Sequence, residues 1–450
     1  MSITVDDMTD LPFGFGPGAG DPAQPGGDVP DDMANKVPLF AELQKLFSWS
    51  GGPVNWDLAR QVALSSLTAS NAAVPADEVT AIENAVRLAD LWLDDVTDIA
   101  SGISRTVAWN RVQWVEQTLP VWTTLCDPVA TRVVSAMSMS LPEEVRAQAG
   151  PMAPLMNQLG GMMFGSQVGQ ALSGLAGEIL SSTDIGLPLG PPGTAALVPD
   201  NVAAFGSGLG RPEDEVRLYV SLREAAHQRL FAHVPWLRQR LIDSVDAYAR
   251  GISIDSSLLE RAMAEVDPTN PESMQALLSG GMFELEDSAA QQAALRRLET
   301  LLALVEGWVD CVTAEVAATR LGGGEALREA SRRRRAGGGP AEQTFATLVG
   351  LELRPRKLRE AADLWIAAAA QRGQSGRDAL WEHPDLMPDS DDLDDPVGFL
   401  LRSEDASDRS AAMDEALTEL LTAESDDGAG GDPPRSDADT RPDEPPPAQH

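Results

Sequence analysis

The sequence predicts a mainly α protein: one large multi-helix domain with little strand, flanked by two disordered tails. Three observations predict it. Apolar residues recur at spacings of three and four over long stretches, as in Val79, Ile82, Val86, Ala89 and Leu93. Alternating strand-like runs are nearly absent. The periodic stretches are separated by helix breakers such as Gly51-Gly52-Pro53.

Residues 1–35 are rich in Gly, Pro and Asp and offer too little apolar surface to order themselves, so they read as a disordered leader. The helical domain is expected over 36–400. Phe40, Leu43, Leu46 and Phe47 open it with helical spacing, and Asn55-Trp56-Asp57 starts the next helix through Leu58, Val62, Ala63 and Leu67. Helices are expected over 77–99 and over 104–118, the second from the stripe Val107, Trp109, Val112, Trp114 and Val115. Residues 128–139 and 142–149 also read as helical. The stretch 151–177 has no charged side chain, yet it carries Asn157, Gln158, Gln167 and Gln170, which hydrocarbon would penalise. It is expected to be a buried helix of a soluble fold. Its small residues Gly161, Gly165, Gly169, Ser173 and Gly177 recur every four positions, which suits close helix approach better than ligand binding.

Residues 182–192 read as a loop, and 195–199 as the best strand candidate. A helix should start near Pro212-Glu213-Asp214-Glu215, where proline suits the first turn and the acids complement the positive end of the dipole. Pro235 should interrupt it, and the continuation should end at Gly251. Shorter helices are expected over 256–266 and 271–278, then a long one over 288–319 with Leu295, Leu298, Leu301, Leu302 and Val305. The run Arg332 to Arg335, before Gly337-Gly338-Gly339-Pro340, reads as a solvated helix end or as a partner for the acidic excess. The last helices are expected over 342–350 and 356–372. Residues 401–450 form an acidic tail, expected to be disordered.

Of 450 residues, 43% are hydrophobic, enough for a substantial core, and the formal charge is −35. That charge argues against nucleic acid or an anionic membrane as partner, because phosphates would be repelled. Cys126 and Cys311, the only cysteines, are too few for a disulfide framework and read as reduced core thiols. Residues 1–7 lack a basic segment leading into an apolar run, so a cytoplasmic location is expected.

The helix from 212 contains Leu222-Arg223-Glu224-Ala225-Ala226-His227. On a helix, Arg223 and His227 share a face and Glu224 lies about 100° round from Arg223. This is the HExxH layout with its first letter changed. In the full motif two histidines bind zinc and the glutamate is general base toward the metal-bound water. A guanidinium has no lone pair to offer a metal. Glu306 and Asp310 stand four apart on the downstream helix.

Three physical readings stay open. Arg223 could replace the metal electrostatically by pairing with Glu306 or Asp310. Another residue could complete a metal site, although His233 lies about 240° round from His227 unless Pro235 distorts the backbone. A di-iron bundle site would need a second Glu-x-x-His, and the four histidines, His227, His233, His383 and His450, provide none. His383, beside Pro384 and an acidic loop, is expected at the surface.

The chain resembles bacterial zincin-like proteins described as zinc-dependent metalloproteases or hydrolases, one branch of which is named for deazaflavin cofactor biosynthesis. The resemblance rests on Val54-Asn55-Trp56-Asp57-Leu58-Ala59, on Phe164-Gly165-Ser166-Gln167-Val168-Gly169 and on Asp184-Ile185-Gly186-Leu187-Pro188. Leu222 to Leu230, Val305 to Asp310 and Ala341 to Pro355 extend it, so that it spans about 50–370. It implies His227 and Glu306 as zinc ligands, Glu224 as general base, and Asp310 as the carboxylate that orients a ligand, with Arg223 beside them where the first ligand would stand. It further implies a peptide hydrolase acting on peptide or protein. The alternative is an inactive relative that keeps the fold as a structural or protein-interaction module.

Overall fold

In a computed structural model the chain is described over residues 52–68, 71–140, 153–251, 288–336 and 357–403, together with 413, 415, 416 and 418. Its helices are α1 (Trp56–Ser66), α2 (Ala76–Leu93), α3 (Arg111–Ser140), α4 (Ala153–Ala176), α5 (Pro199–Gly206), α6 (Glu213–His233), α7 (Pro235–Arg250), α8 (Ala289–Arg320), α9 (Gly324–Ala336) and α10 (Leu358–Asp378). Strands β1 (Arg105–Ala108) and β2 (Thr194–Leu197) pair in parallel, with Arg105 opposite Thr194 and Ala108 opposite Leu197. The fold is mainly α, as the periodicity predicts. The expected helices over 38–47, 142–149, 256–266, 271–278 and 342–350 lie outside the described residues. So do both tails, apart from 401–403 and the four single positions.

Local chemistry sets several boundaries. Asn55 caps α1 by accepting from Leu58 N, and Ser288 with Gln291 forms a capping box on α8. Pro235 separates α6 from α7 and occupies the first turn of the latter. The stripe of small residues packs helices closely. A Cβ on Gly165 would lie 2.5 Å from Asn55 O, and one on Gly169 would lie 2.5 Å from Ala59 O, so α4 sits against α1 backbone to backbone. Among the described residues no helix is long and apolar enough to cross a membrane.

Two expected helices differ. The stretch expected as one helix over 104–118 begins with β1 instead, because Thr106 and Val107 pair with Ala195 and Ala196, a partner 89 residues downstream that local periodicity cannot reveal. From Arg111 the helix continues through Pro120 and Pro128 to Ser140 as one element. The carbonyls these prolines leave without an amide belong to half-exposed Glu116 and exposed Thr124, where solvent can take the bond. Helix α2 ends at Leu93, short of 99, because the following segment is recruited elsewhere. Thr97 Oγ1 and Asp98 N donate to Asp378, and Ile99 O accepts from Arg229.

Helix α6 lies at the centre of the core. It is buried continuously from Tyr219 to Leu230, more than three turns, so every face is covered. Polar side chains in this stretch must therefore find partners inside the protein. Cys126 and Cys311 are free and buried. Burial, helped by Asp127, pushes the Cys126 thiol up to about 12. Burial pushes Cys311 up to about 11 despite nearby Arg377.

Candidate functional site

Helix α8 brings Glu306 against α6. Gly307 makes this possible, because a Cβ there would lie 2.8 Å from the Ala361 backbone, so α10 packs directly on α8 beside the glutamate. From the other side Gly186, at φ +76°, presses on the carboxylate, and a Cβ there would come within 2.9 Å of Glu306 Oε1. Only glycine suits both the space and the backbone at 186.

Arg223 Nη2 donates to Glu306 Oε2 at 2.6 Å. Arg335 from α9 also pairs with Oε2. His227 Nε2 lies 3.0 Å from Oε1, while Nδ1 donates to Arg223 O at 2.8 Å. Both imidazole nitrogens thus face protein oxygens, Nδ1 the Arg223 carbonyl and Nε2 the Glu306 carboxylate. Phe231 stacks on the ring, with centroids 6.1 Å apart. Glu306 and His227 are almost fully buried.

Asp310, one turn along α8, does not orient His227. It accepts from Arg328 Nε and Nη2 and from Arg332 Nη2, the two Nη2 contacts at 2.6 and 2.7 Å. Asp184 accepts from Arg334 at 2.8 Å and from Leu180 N, and its carbonyl accepts from Arg335. Four arginines of α9 therefore meet three buried carboxylates. The run at 332–335 is a partner for acids at Arg332, Arg334 and Arg335, whereas Arg333 is exposed and, among the described residues, pairs with Glu329.

Glu224 turns to a different part of the fold. Its Oε1 accepts from Ser182 Oγ, from Gln228 Nε2 at 3.0 Å and from Ala196 N at 3.3 Å. Its Oε2 accepts from Thr183 Oγ1 at 2.6 Å and from Thr183 N at 3.2 Å. The carboxylate is fully buried and receives five donors from the 182–183 loop, β2 and its own helix. His233 Nε2 donates to Ser101 O on the exposed side of α6, away from His227, and His383 is exposed.

The electrostatics follow the contacts. Burial opposes ionisation of Glu306, but Arg335, His227 and Arg223 outweigh it and hold the carboxyl far below the usual range. Burial likewise opposes ionisation of Asp184 and Asp310, and Arg334 with Arg335, or Arg328 with Arg223, again prevail and lower both. Burial works against the charge on Arg223, yet Glu306 and its neighbours hold the proton more firmly than in water. Because all three carboxyls are depressed in the folded state, their contribution is complete above the ordinary values of 4.5 and 3.8 and is lost as pH falls below them. Urea midpoints should therefore hold steady from pH 7 to about 5 and fall steeply below about 4.5. A midpoint unchanged at about pH 3 would contradict this charge arrangement.

Sequence spacing alone had not pointed to Arg328, Arg334, Asp184, Ser182 or Thr183 as members of this region. The one available signal was the density of arginines over 328–335, beyond a Gly-Gly-Gly break at 322–324.

A family model described as zincin-like metallopeptidase matches residues 54–400. No curated protein matches the chain significantly. In fold it is similar to a crystal structure from Chloroflexus aurantiacus described as "a putative hydrolase with a novel fold", with 22% identity and a TM-score of 0.55 over 78% of this chain and 99% of that one. At that identity the likeness bears on fold alone.

Proposed function

The chain belongs to the zincin-like metallopeptidase family, and from that premise we propose that it is a non-catalytic member, a structural or protein-interaction module in which guanidinium charge stands where the family places its metal. One observation carries the reading: of the Glu306 carboxylate, Oε2 is already held by Arg223 and Arg335 and Oε1 faces His227. Catalytic zinc needs three protein ligands and an open position for water. Here His227 and Glu306 face each other, and the third place holds a cation that would repel a second one. Among the described residues no group of three His, Cys, Asp or Glu side chains is arranged to hold a metal. The residues do not fit zinc, and no hydrolytic step is assigned to them.

Glu224 supports the same reading. A general base needs a lone pair aimed at the attacking water, and both of its oxygens are occupied by Ser182, Thr183, Ala196 and Gln228. We assign it as the anchor that fastens α6 to β2 and the preceding loop.

The test is metal content by mass spectrometry on protein purified without a chelating column, beside Arg223→His and the double variant Arg223→His with Arg335→Ala. The native protein should carry no stoichiometric zinc and should cleave no peptide. Zinc should enter the double variant more readily than the single one, because Arg335 still covers Glu306 in the latter. One zinc per native chain would overturn the reading and restore the peptidase.

A further inference from the structure

On the side of the molecule formed by α7, α8 and the 384–391 segment lies a groove of about 490 Å³. Its floor is apolar, from Trp236, Leu301 and Leu304, and its rim carries Arg240, Arg296 and Arg297. None of these three arginines makes an ion pair with a described residue, whereas the arginines of α9 are almost all paired. In a chain of net charge −35, three guanidiniums without an ion pair among the described residues, on a groove that Asp389 and Asp391 also line, suit an acidic segment with an apolar stripe.

The chain contains such a segment. Over 411–424 Met413, Leu417, Leu420 and Leu421 recur at i, i+4, i+7 and i+8, which places them within about 100° of one helix face. Asp414 borders that stripe, Glu424 falls on its line one turn beyond Leu420 and Leu421, Glu415 and Glu419 lie behind it, and the segment has no basic residue. The described positions 413, 415, 416 and 418 are helical, and Met413 is 64% exposed. The segment also starts within reach. Arg402 pairs with Asp392, the neighbour of Asp391 on the groove's far wall. Residues 404–410 can span roughly 24 Å beyond that point.

We propose that the acidic amphipathic segment 411–424 docks intramolecularly in this groove, its apolar stripe on Trp236, Leu301 and Leu304 and its carboxylates toward Arg240, Arg296 and Arg297. A tether this short gives an effective concentration in the millimolar range, which favours the segment of the same chain over that of a second copy.

Amide hydrogen exchange on the full-length chain tests this, comparing the native protein with the triple charge reversal Arg240→Glu, Arg296→Glu and Arg297→Glu. Amides of 411–424 should exchange about tenfold more slowly in the native protein than in the reversal, with α8 equally protected in both. Adding Asp414→Lys and Glu424→Lys to the reversal should restore the protection. Equal exchange of 411–424 in all three proteins would overturn the proposal. So would a reversal effect confined to 252–287, which would make that connection the occupant. Protection that rises with protein concentration, together with sedimentation as a dimer, would overturn the intramolecular assignment in favour of a second copy.

Discussion

Replacing Glu306 by Ala should cost about 3–5 kcal/mol of stability, because it leaves buried charge without its counter-ion. The expected size follows from geometry. Arg223 and His227 are 10% and 1% exposed at their side chains and both terminate on this one carboxylate, while Arg335 retains Asp184. Arg223→Met should cost less, since Glu306 keeps Arg335 and His227. Combining Arg223→Met with Glu306→Leu should recover part of the loss, as an apolar pair often matches a buried ion pair. Urea unfolding of Arg223→Met, of Glu306→Leu alone and of the double closes a cycle that measures the coupling directly. An Ala variant within about 1 kcal/mol of the native protein would mean that the network contributes nothing net, as surface pairs often do.

The parts of this arrangement that were legible in the sequence are those governed by helix period. The spacings 223/227 and 306/310 put side chains on the correct faces of α6 and α8, and the acids at 213–215 and the proline at 235 bounded the motif helix. The glycines at 165 and 169 likewise marked a close helix contact before any partner was known. What stayed hidden depends on chain segments distant in sequence. Nothing near Asp310 announces that Arg328 and Arg332 cover it, because α9 follows a glycine break that leaves its direction open. Similarly, β1 exists only because β2 offers a parallel edge 89 residues later. The destination of Glu224 is the third case. Periodicity places it about 100° from Arg223, but whether that direction holds a water or a ring of donors depends on the course of residues 180–197.

That difference makes Glu224 the position where the two views of the site separate most sharply. Glu224→Ala should cost about 4 kcal/mol, because Thr183 N, Thr183 Oγ1 and Ala196 N lose their acceptor inside the core, at about 1–3 kcal/mol for each group left unpaired. Ser182 Oγ and Gln228 Nε2 lose less, since Thr194 O also lies within reach of both. The conservative Glu224→Gln is the more telling variant. An amide has the same shape but turns one acceptor oxygen into a donor, and every protein group facing that carboxylate here can donate. It should therefore still destabilise, by about 2 kcal/mol, through donors set against donors. A glutamate acting as general base would behave in the opposite way: exchange for glutamine would abolish turnover and leave the fold intact. Thermal and urea unfolding of Glu224→Gln, beside a peptide-cleavage assay of the native chain, reads both. A variant as stable as the native protein, accompanied by native cleavage activity, would return Glu224 to the catalytic role and take the anchor away.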